Sequence, residues 1–236
     1  MADAATQTLI FRCPAELEAW LPKPAPAAAG LPEWLKAMPQ QAFSDLTGGE
    51  DDTLKRCPPV VDAMTTGFLI PLICDVRVKG GEFSWDEDLP AGGPVGFARS
   101  PIGLHHPAQA AGTPLYDPDR FLVKFHNLWT IQAPDGYGLL FTHPVNRFDL
   151  PFTTLCGLVD ADRYHEAWIN FPAVWRDADF DGVLARGTPV AQVFPVKREG
   201  WGLETRPFSD EDAAAAEALL GEIRSHRGVY RKRFRA

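Results

Sequence analysis

The sequence has few cysteines and no long apolar segment, and both shortages narrow the class of protein. Its four cysteines, Cys13, Cys57, Cys74 and Cys156, form no Cys-x-x-Cys pair, which argues against a zinc knuckle or a disulfide framework. The longest apolar run, GFLIPLICDV at 67–76, falls short of the roughly 20 residues of a membrane helix. The opening MADAATQTLIF lacks the features of a signal peptide. A cytoplasmic protein with no membrane partner is therefore predicted.

Common catalytic signatures are also missing from the sequence. The chain has no nucleophile elbow, no Walker phosphate-binding loop and no dinucleotide-binding glycine motif. Its net charge of −8 disfavours nucleic-acid binding across the whole surface. The exception is the basic end, RSHRGVYRKRFRA at 224–236, although a run of this kind is usually a solvated terminus. Nucleic acid is expected as a partner only through this tail.

Proline and glycine are abundant, and they define the expected architecture. The 22 prolines and 20 glycines favour short strands joined by turns over long helices, so the fold class is predicted as mainly β. We expect an extended N-terminal arm over 1–56, a β domain over 57–205, and one helix with a basic tail over 206–236. Residues 47–56 and 86–120 are predicted as loops.

Local signals place several turns and strands. Gly80-Gly81, after an alternating strand pattern, predicts a tight hairpin turn. Proline cannot donate a ladder hydrogen bond, so we expect strand edges or bends at Pro172, Pro189 and Pro195. In the arm, Pro32 is typical of the first turn of a short helix.

One C-terminal helix is predicted from its capping residues and its periodicity. Ser209 is the expected N-cap, Asp212 occupies the capping-box position, and Gly228 is expected to end the helix. The predicted apolar stripe consists of Ala216, Leu219, Leu220 and Ile223.

Two motifs of the β region resemble those of one enzyme family. GLVDADRYHE at 157–166 is similar to the Gly-Val-Ile-Asp-x-Asp-Tyr-x-Gly-Glu motif of trimeric dUTPases. ARGTPVAQVF at 185–194 is similar to their Lys/Arg-Gly-Asp-x-Ile-Ala-Gln-Leu motif, in the same order and at a similar separation. HPVNR at 143–147 and IPLICDVRVKGGE at 70–82 show a looser likeness. The resemblance covers about residues 65–200 and implies a dUTPase-like β-clip barrel or sandwich that assembles as a homotrimer.

The resemblance also implies a nucleotide site. Asp160 would be the catalytic carboxylate that orients the attacking water, and Mg²⁺ would be the cofactor if nucleotides are hydrolysed. Tyr164 would pack on the sugar, displaced by one position because Arg163 is inserted. The chain departs from the family at Val145 and Asn146, where small polar donors are expected, and a helix replaces the family's Gly-rich C-terminal arm. These departures favour a β-clip adapted to another ligand.

The residues themselves suggest a turn that faces a ligand. His143 and Asn146, with the backbone N–H groups around them, are typical of an anion-binding turn, and Arg147 is suited to clamp a phosphate. Together with the resemblance, these residues predict a cleft for a small phosphorylated or nucleotide-like ligand. The cleft is expected to include Arg147, Asp160, Tyr164 and Gln192 and to lie between subunits. A plain hairpin turn would use the same residue types, and the acidic residues of DAD at 160–162 would bond their own backbone in such a turn.

Two other functions stay open at this point. One is a non-enzymatic structural or interaction protein that assembles through its β domain and docks through the arm or tail. The other is a metal-dependent enzyme using His105, His106, His126 and His143, although their spacing matches no known metal motif. Residues 57–72 also resemble a group of bacterial and phage proteins, a likeness that implies no activity.

Overall fold

The structure, a computed structural model, describes residues 6–86 and 100–235 and is mainly β, which confirms the coarse prediction. Two compact units divide the chain. The first combines the residues up to Ala37 with Ala63–Arg198, and the second combines Met38–Asp62 with Glu199–Ala236. Most of the predicted loop 86–120 is described, but its part at 87–99 lies outside the described residues.

The strands are short and pair antiparallel. In chain order they are β1 Ile10–Arg12, β2 Ala25–Pro26, β3 Gln41–Ser44, β4 Gly49–Asp52, β5 Phe68–Pro71, β6 Val76–Lys79, β7 Glu82–Ser84, β8 Ile102–His105, β9 Leu122–Phe125, β10 Thr130–Gln132, β11 Tyr137–Thr142, β12 Phe152–Thr154, β13 Gly157–Val159, β14 Phe171–Trp175, β15 Gly182–Leu184 and β16 Pro189–Lys197. The helices are α1 Glu33–Ala37, α2 Pro58–Thr65, α3 Asp210–Ser225 and α4 Val229–Arg233. Short 3-10 turns lie at Ala15–Leu17, Ala27–Gly30, Leu54–Arg56 and Pro107–Ala110.

The first unit is built from several open sheets. A five-stranded sheet has the order β13-β11-β16-β5-β2, and a four-stranded sheet has the order β12-β14-β9-β8. A three-stranded sheet, β15-β6-β7, and the pair β1-β10 complete the unit. Among the described residues no sheet closes into a barrel.

A shared hydrophobic core joins the two larger sheets. Phe141 of the five-stranded sheet meets Phe171 of the four-stranded sheet with ring centroids 5.3 Å apart. Phe125 and Phe152, both almost fully buried, pack at 4.6 Å in the same core. Burial of aromatic side chains of this size is the main favourable term that holds the sheets together.

Residues 6–37 lie along this β unit, partly through strand pairing. β1 pairs with β10, and β2 forms the edge of the five-stranded sheet beside β5. Leu17 and Leu21 enter a second apolar cluster, where the Trp129 Nε1–H group donates to Pro22 O at 3.1 Å. The guanidinium of Arg186 lies 5.0 Å from the ring centre of Trp20, a cation–π distance. The short helix expected near Pro32 is α1.

The predicted turn chemistry is confirmed at the Gly80-Gly81 hairpin. Both glycines have positive φ, 56° and 81°, and they join β6 to β7 with Lys79 opposite Glu82. A two-residue turn with positive φ at both positions matches the twist of the flanking strands.

The three prolines expected at strand edges or bends lie in different surroundings. Pro189 lies at a register shift in β16, and Pro195 lies past the end of the β5 pairing, where β16 still pairs with β11. Pro172 does not lie on an edge strand, because β14 is placed between β12 and β9. The Pro172 carbonyl accepts the N–H of Leu155 at 2.8 Å but cannot return a hydrogen bond, so the β12 ladder ends at Thr154.

Two segments differ from the sequence-based expectation. Residues 58–65, at the start of the predicted β domain, form the helix α2, because Pro58 and Pro59 suit the first helical turn, where an N–H is not needed. Part of the predicted loop at 47–56 is β4, which pairs with β3 in a hairpin whose turn contains Gly48 at φ 65°.

The C-terminal helix is confirmed with its capping box. Ser209 Oγ accepts the Asp212 N–H at 3.1 Å, and the Asp212 carboxylate accepts the Ser209 N–H at 3.0 Å. The prediction of a single helix was wrong, because Gly228, at φ 76°, redirects the chain into α4. None of the described helices has the length and apolar character needed to cross a membrane.

Candidate functional site

The HPVNR segment is a tight turn that follows β11 and leads to β12 in a different sheet. The N–H of Arg147 donates to Pro144 O at 3.1 Å and closes the turn. Asn146 has φ 59°, the left-handed conformation that Asn tolerates better than most side chains. The turn is thus a link between sheets rather than a plain hairpin.

His143 holds this turn to the four-stranded sheet. Its Nδ1 accepts the N–H of Thr154 at 3.3 Å, so Nε2 carries the proton and donates to Arg147 O at 2.9 Å. Burial lowers the pKa of His143, because the charged ring would lose its hydration, and the neighbouring arginines oppose protonation as well. The ring is therefore neutral near pH 7, and both of its nitrogens serve the fold.

Arg147 forms a two-pronged ion pair with Asp149. Its Nε donates to Oδ1 at 2.8 Å and its Nη2 to Oδ2 at 2.8 Å, while Trp34 Nε1 also donates to Oδ1 at 3.2 Å. Burial raises the pKa of Asp149, but the hydrogen bonds and charge of Arg147 outweigh this and hold it below the usual value. The Arg147 side chain is only 14% exposed, so the pair fixes the turn and its charge together.

Gln192 lies behind the turn and is 1% exposed. Its Oε1 accepts the Val145 N–H at 2.9 Å, and its Nε2 donates to Ala63 O at 3.0 Å and to Thr66 O at 2.7 Å. Every strong hydrogen-bonding position except one acceptor lone pair is thus used within the chain. Gln192 positions the turn against the end of α2.

A cleft of about 430 Å³ opens beside the turn, and we call it the turn cleft. It lies between the turn and the segment that follows β14. Its lining consists of His143, Arg147, Phe148, Asp149, Leu150, Pro151, Phe152, Thr153, Arg176, Asp177 and Phe180. Two of the residues singled out from sequence, His143 and Arg147, therefore meet in one cleft.

Arg176 is the functional candidate that sequence reasoning missed. Its Nη1 donates a long hydrogen bond of 3.4 Å to Thr153 Oγ1, and within the described part of the chain its guanidinium has no carboxylate partner. It lines the same cleft as His143 and Arg147. The only available signal was a lone arginine at a strand end in VWRDADF, too common a pattern to be singled out.

The acidic turn, formed by DAD at 160–162, binds an arginine of the same chain. The guanidinium of Arg198 bridges Asp160, at 2.8 Å, and Asp162. Asp162 Oδ2 also accepts the Gly136 N–H at 3.0 Å. Burial raises the pKa of Asp162, but the hydrogen bonds from Arg198 and Gly136 outweigh it and lower the pKa overall. Tyr164 is 52% exposed, and its N–H donates to Asp160 O at 2.8 Å.

The acidic turn and the turn cleft lie at opposite ends of β11. Asp160 Oδ1 is 3.8 Å from the position that a Cβ on Gly138 would occupy, whereas His143 directly follows the last residue of the strand. At about 3.4 Å per residue, the five steps from Gly138 to His143 span roughly 17 Å. Within one chain, Asp160 and Tyr164 are not brought to the cleft that holds His143 and Arg147.

The histidines form no metal-binding cluster among the described residues. In residues 6–86 and 100–235, no group of three or more His, Cys, Asp or Glu side chains is placed to hold a metal ion. His126 is buried, and its Nδ1 donates to Ser100 O at 2.7 Å. Burial lowers the pKa of His126. His105 and Gln109 share a hydrogen bond of 3.1 Å beside the 3-10 turn that His106 caps.

A second cleft of about 560 Å³ is larger but has different chemistry. Its walls are mostly apolar and include Phe83, Phe121 and Trp175. Its charged residues are Asp117, Asp119 and Arg120, and Arg120 already pairs with Asp117 at 3.4 Å. A cleft with this net negative charge disfavours a phosphate, so the turn cleft is the better phosphate site despite its smaller volume.

Comparison of the chain with protein-family models and with curated protein sequences gives no match.

Proposed function

We propose that the protein binds a small phosphorylated molecule in the turn cleft. The volume of about 430 Å³ falls within the range of roughly 300–1,000 Å³ that is usual for small-molecule sites. The observation that carries the proposal is the convergence of Arg147 and Arg176, the latter without a carboxylate partner among the described residues.

Each wall of the cleft has a distinct part in this proposal. Arg176 offers the phosphate a guanidinium whose one hydrogen bond, to Thr153, is long, and Arg147 offers the N–H groups that Asp149 does not engage. The phosphate-bearing molecule also has an apolar or aromatic portion, which packs against the exposed Phe148 and against Phe180. That second contact is needed because Asp149 and Asp177 offset the two arginines, and bare phosphate binds weakly as a result.

The proposal is for binding and does not include hydrolysis. The Asp160 carboxylate, the water-orienting group that the dUTPase resemblance implies, is engaged by Arg198 at the far end of β11. We also propose the β-clip arrangement for residues 65–200, on the support of the short antiparallel strands and the order of the two family-like motifs.

Titration calorimetry with inorganic phosphate, pyrophosphate and AMP tests the binding proposal. The Arg176→Gln variant is expected to weaken binding about tenfold or more, because a charge-assisted hydrogen bond contributes about 1.5–3 kcal/mol. Arg163→Gln, at an exposed arginine directly after the acidic turn, is the matched control and is expected to bind like the wild type. Equal losses in the two variants, or no binding by the wild type at millimolar ligand, would contradict the proposal.

A turnover assay separates binding from catalysis. Phosphate and pyrophosphate release is measured from a panel of nucleoside triphosphates with Mg²⁺, for the wild type and for Asp160→Asn. The proposal predicts no release by either protein. Release that Asp160→Asn abolishes would restore the hydrolase that the resemblance implies, with Asp160 as its catalytic carboxylate.

A further inference from the structure

The second unit has almost no hydrophobic core of its own. Among its described residues, Val229 is the only buried apolar side chain. Large apolar side chains are instead exposed along the unit: Phe43, Leu46, Leu54, Trp201, Leu203, Phe208, Leu220, Ile223, Tyr230 and Phe234. A small unit that buries so little is marginal by itself, and apolar surface of this extent marks an interaction face.

Helix α3 has the clearest unpartnered face. Its 16 residues extend about 24 Å at ~1.5 Å each. The predicted stripe of Ala216, Leu219, Leu220 and Ile223 follows the i, i+3, i+4, i+7 pattern of a helix that packs through one side. No residue of α3 is buried, and Leu220 and Ile223 are 51% and 50% exposed.

The charges beside the stripe identify what covers it. Glu217 and Arg224 are seven residues apart and so lie on the same flank of the stripe. Among the described residues neither has an ion-pair partner. The opposite flank is already occupied within the chain, because Glu222 pairs with Arg233 of α4. The flank of Glu217 and Arg224, which we call the free flank, thus carries one acid and one base. If a second α3 helix runs in the opposite direction, its own free flank presents the base opposite the acid and the acid opposite the base.

We propose that α3 packs antiparallel against α3 of a second copy of this chain. A twofold axis between residues 220 and 221 brings the two apolar stripes together, so that each copy presents the same surface. It also sets Glu217 of each copy against Arg224 of the other, because these two positions are equidistant from the axis. In antiparallel helix pairs, equivalent flanks face each other, so both ion pairs form at once.

The charge distribution along α3 favours the antiparallel pair over a parallel one. The first turn carries Asp210, Glu211 and Asp212. A parallel pair would bring these acids together and would set the free flank against the flank of Glu211 and Glu222. In the antiparallel pair, the acidic first turn instead lies towards the basic end of the partner helix, where Arg224 and Arg227 follow the stripe.

Sedimentation equilibrium of the full chain over a concentration series tests the apolar contact. The wild type is expected to form a dimer, and Leu220→Gln with Ile223→Gln is expected to raise the dimer dissociation constant more than tenfold. The matched control is Ala214→Gln with Ala218→Gln, two exposed positions on the far side of α3. The control is expected to dimerise like the wild type.

A charge swap tests the antiparallel direction. Glu217→Arg alone places an arginine at position 217 of each copy opposite Arg224 of the other, so two repulsive pairs replace two ion pairs. This variant is expected to weaken the dimer several-fold at low salt. Adding Arg224→Glu reverses both members of each pair and is expected to restore the wild-type constant within about twofold. Added salt is expected to reduce the difference between the variants, because exposed pairs are screened.

Several outcomes would overturn the proposal. One is a wild type that stays monomeric at all concentrations. Another is an assembly of any size that the Leu220 and Ile223 substitutions leave unchanged, which would place the contact elsewhere. Failure of the charge swap to restore a dimer that Glu217→Arg weakens would exclude the antiparallel arrangement. Circular dichroism of each variant verifies that α3 is still formed.

Discussion

Arg147 forms a bidentate ion pair with Asp149 through two parallel hydrogen bonds, one from Nε to Oδ1 and one from Nη2 to Oδ2, both at 2.8 Å. This geometry is the one that an arginine would offer to a phosphate, and here an internal carboxylate occupies it. The pair therefore does two things: it rigidifies the turn, and it limits how much positive charge the turn cleft presents to a ligand.

Asp149→Asn is expected to strengthen phosphate binding and weaken the fold. The substitution removes a negative charge from the cleft and loosens the hold on Arg147, so calorimetry should show affinity for pyrophosphate rising several-fold. The free energy of unfolding in urea should fall by about 1–2 kcal/mol, less than for a fully buried pair, because both side chains are partly exposed. Asp177→Asn is the control, since it removes the same charge from the same cleft without touching the ion pair. If both variants gain equally, charge alone decides affinity.

The buried His143 is expected to make stability fall in mild acid. Its pKa in the folded state is lowered, whereas the unfolded chain has a pKa near ~6.5. The unfolded state therefore binds more protons as the pH falls below about 6.5, and stability is lost from there down to the folded-state pKa.

His143→Gln should reduce this dependence. The drop in unfolding free energy between pH 7.5 and 5.5 should be smaller for His143→Gln than for the wild type, as measured by urea unfolding at both pH values. Part of the dependence will persist, because the pKa of buried His126 is lowered in the same direction. His226→Gln, an exposed histidine after α3, should behave as the wild type. An identical drop for wild type and His143→Gln would show that the ring does not titrate in this way.

Gln192→Leu is expected to destabilise the protein by about 2–4 kcal/mol. The substitution removes the amide partner of the Val145 N–H and of the carbonyls of Ala63 and Thr66, all in part-buried hydrogen bonds, and each such loss carries a cost. Urea unfolding measures the change, and Gln40→Leu at an exposed position should cost no more than about 0.5 kcal/mol. A small effect at Gln192 would mean that water replaces the amide and that the turn does not depend on it.

The two carboxylates bridged by Arg198 are expected to contribute differently to the stability of the fold. Asp162 accepts hydrogen bonds from the Gly136 N–H and from Arg198, whereas the Asp160 side chain, within the described residues, pairs with Arg198 alone. At pH 7, Asp162→Asn should therefore lower the urea midpoint more than Asp160→Asn does. Because the pKa of Asp162 is lowered in the folded state, its contribution is present above about pH 4 and is lost as the pH falls through the folded-state pKa. Equal midpoints at pH 7 would show that the Gly136 contact contributes nothing.

The sequence by itself determined those features of the fold that depend on the backbone preferences of a few neighbouring residues. The Gly80-Gly81 turn, the Ser209–Asp212 capping box and the mainly β class follow from backbone preferences of individual residues, which hold in almost any context. The turn at HPVNR was also visible, because proline and asparagine favour a tight turn irrespective of what surrounds it.

Only the tertiary structure decided which side chains meet. Arg176 joins Arg147 across a cleft because β12 and β14 pair in one sheet, a contact between residues far apart in the chain. Gln192 looked like a ligand-facing residue in its motif, yet β16 turns it inward to the Val145 N–H. Asp160 and Arg147 lie at opposite ends of β11, a separation that a linear motif does not encode. Sequence patterns record local preference, whereas sheet pairing sets distance, and the chemistry of a site depends on distance.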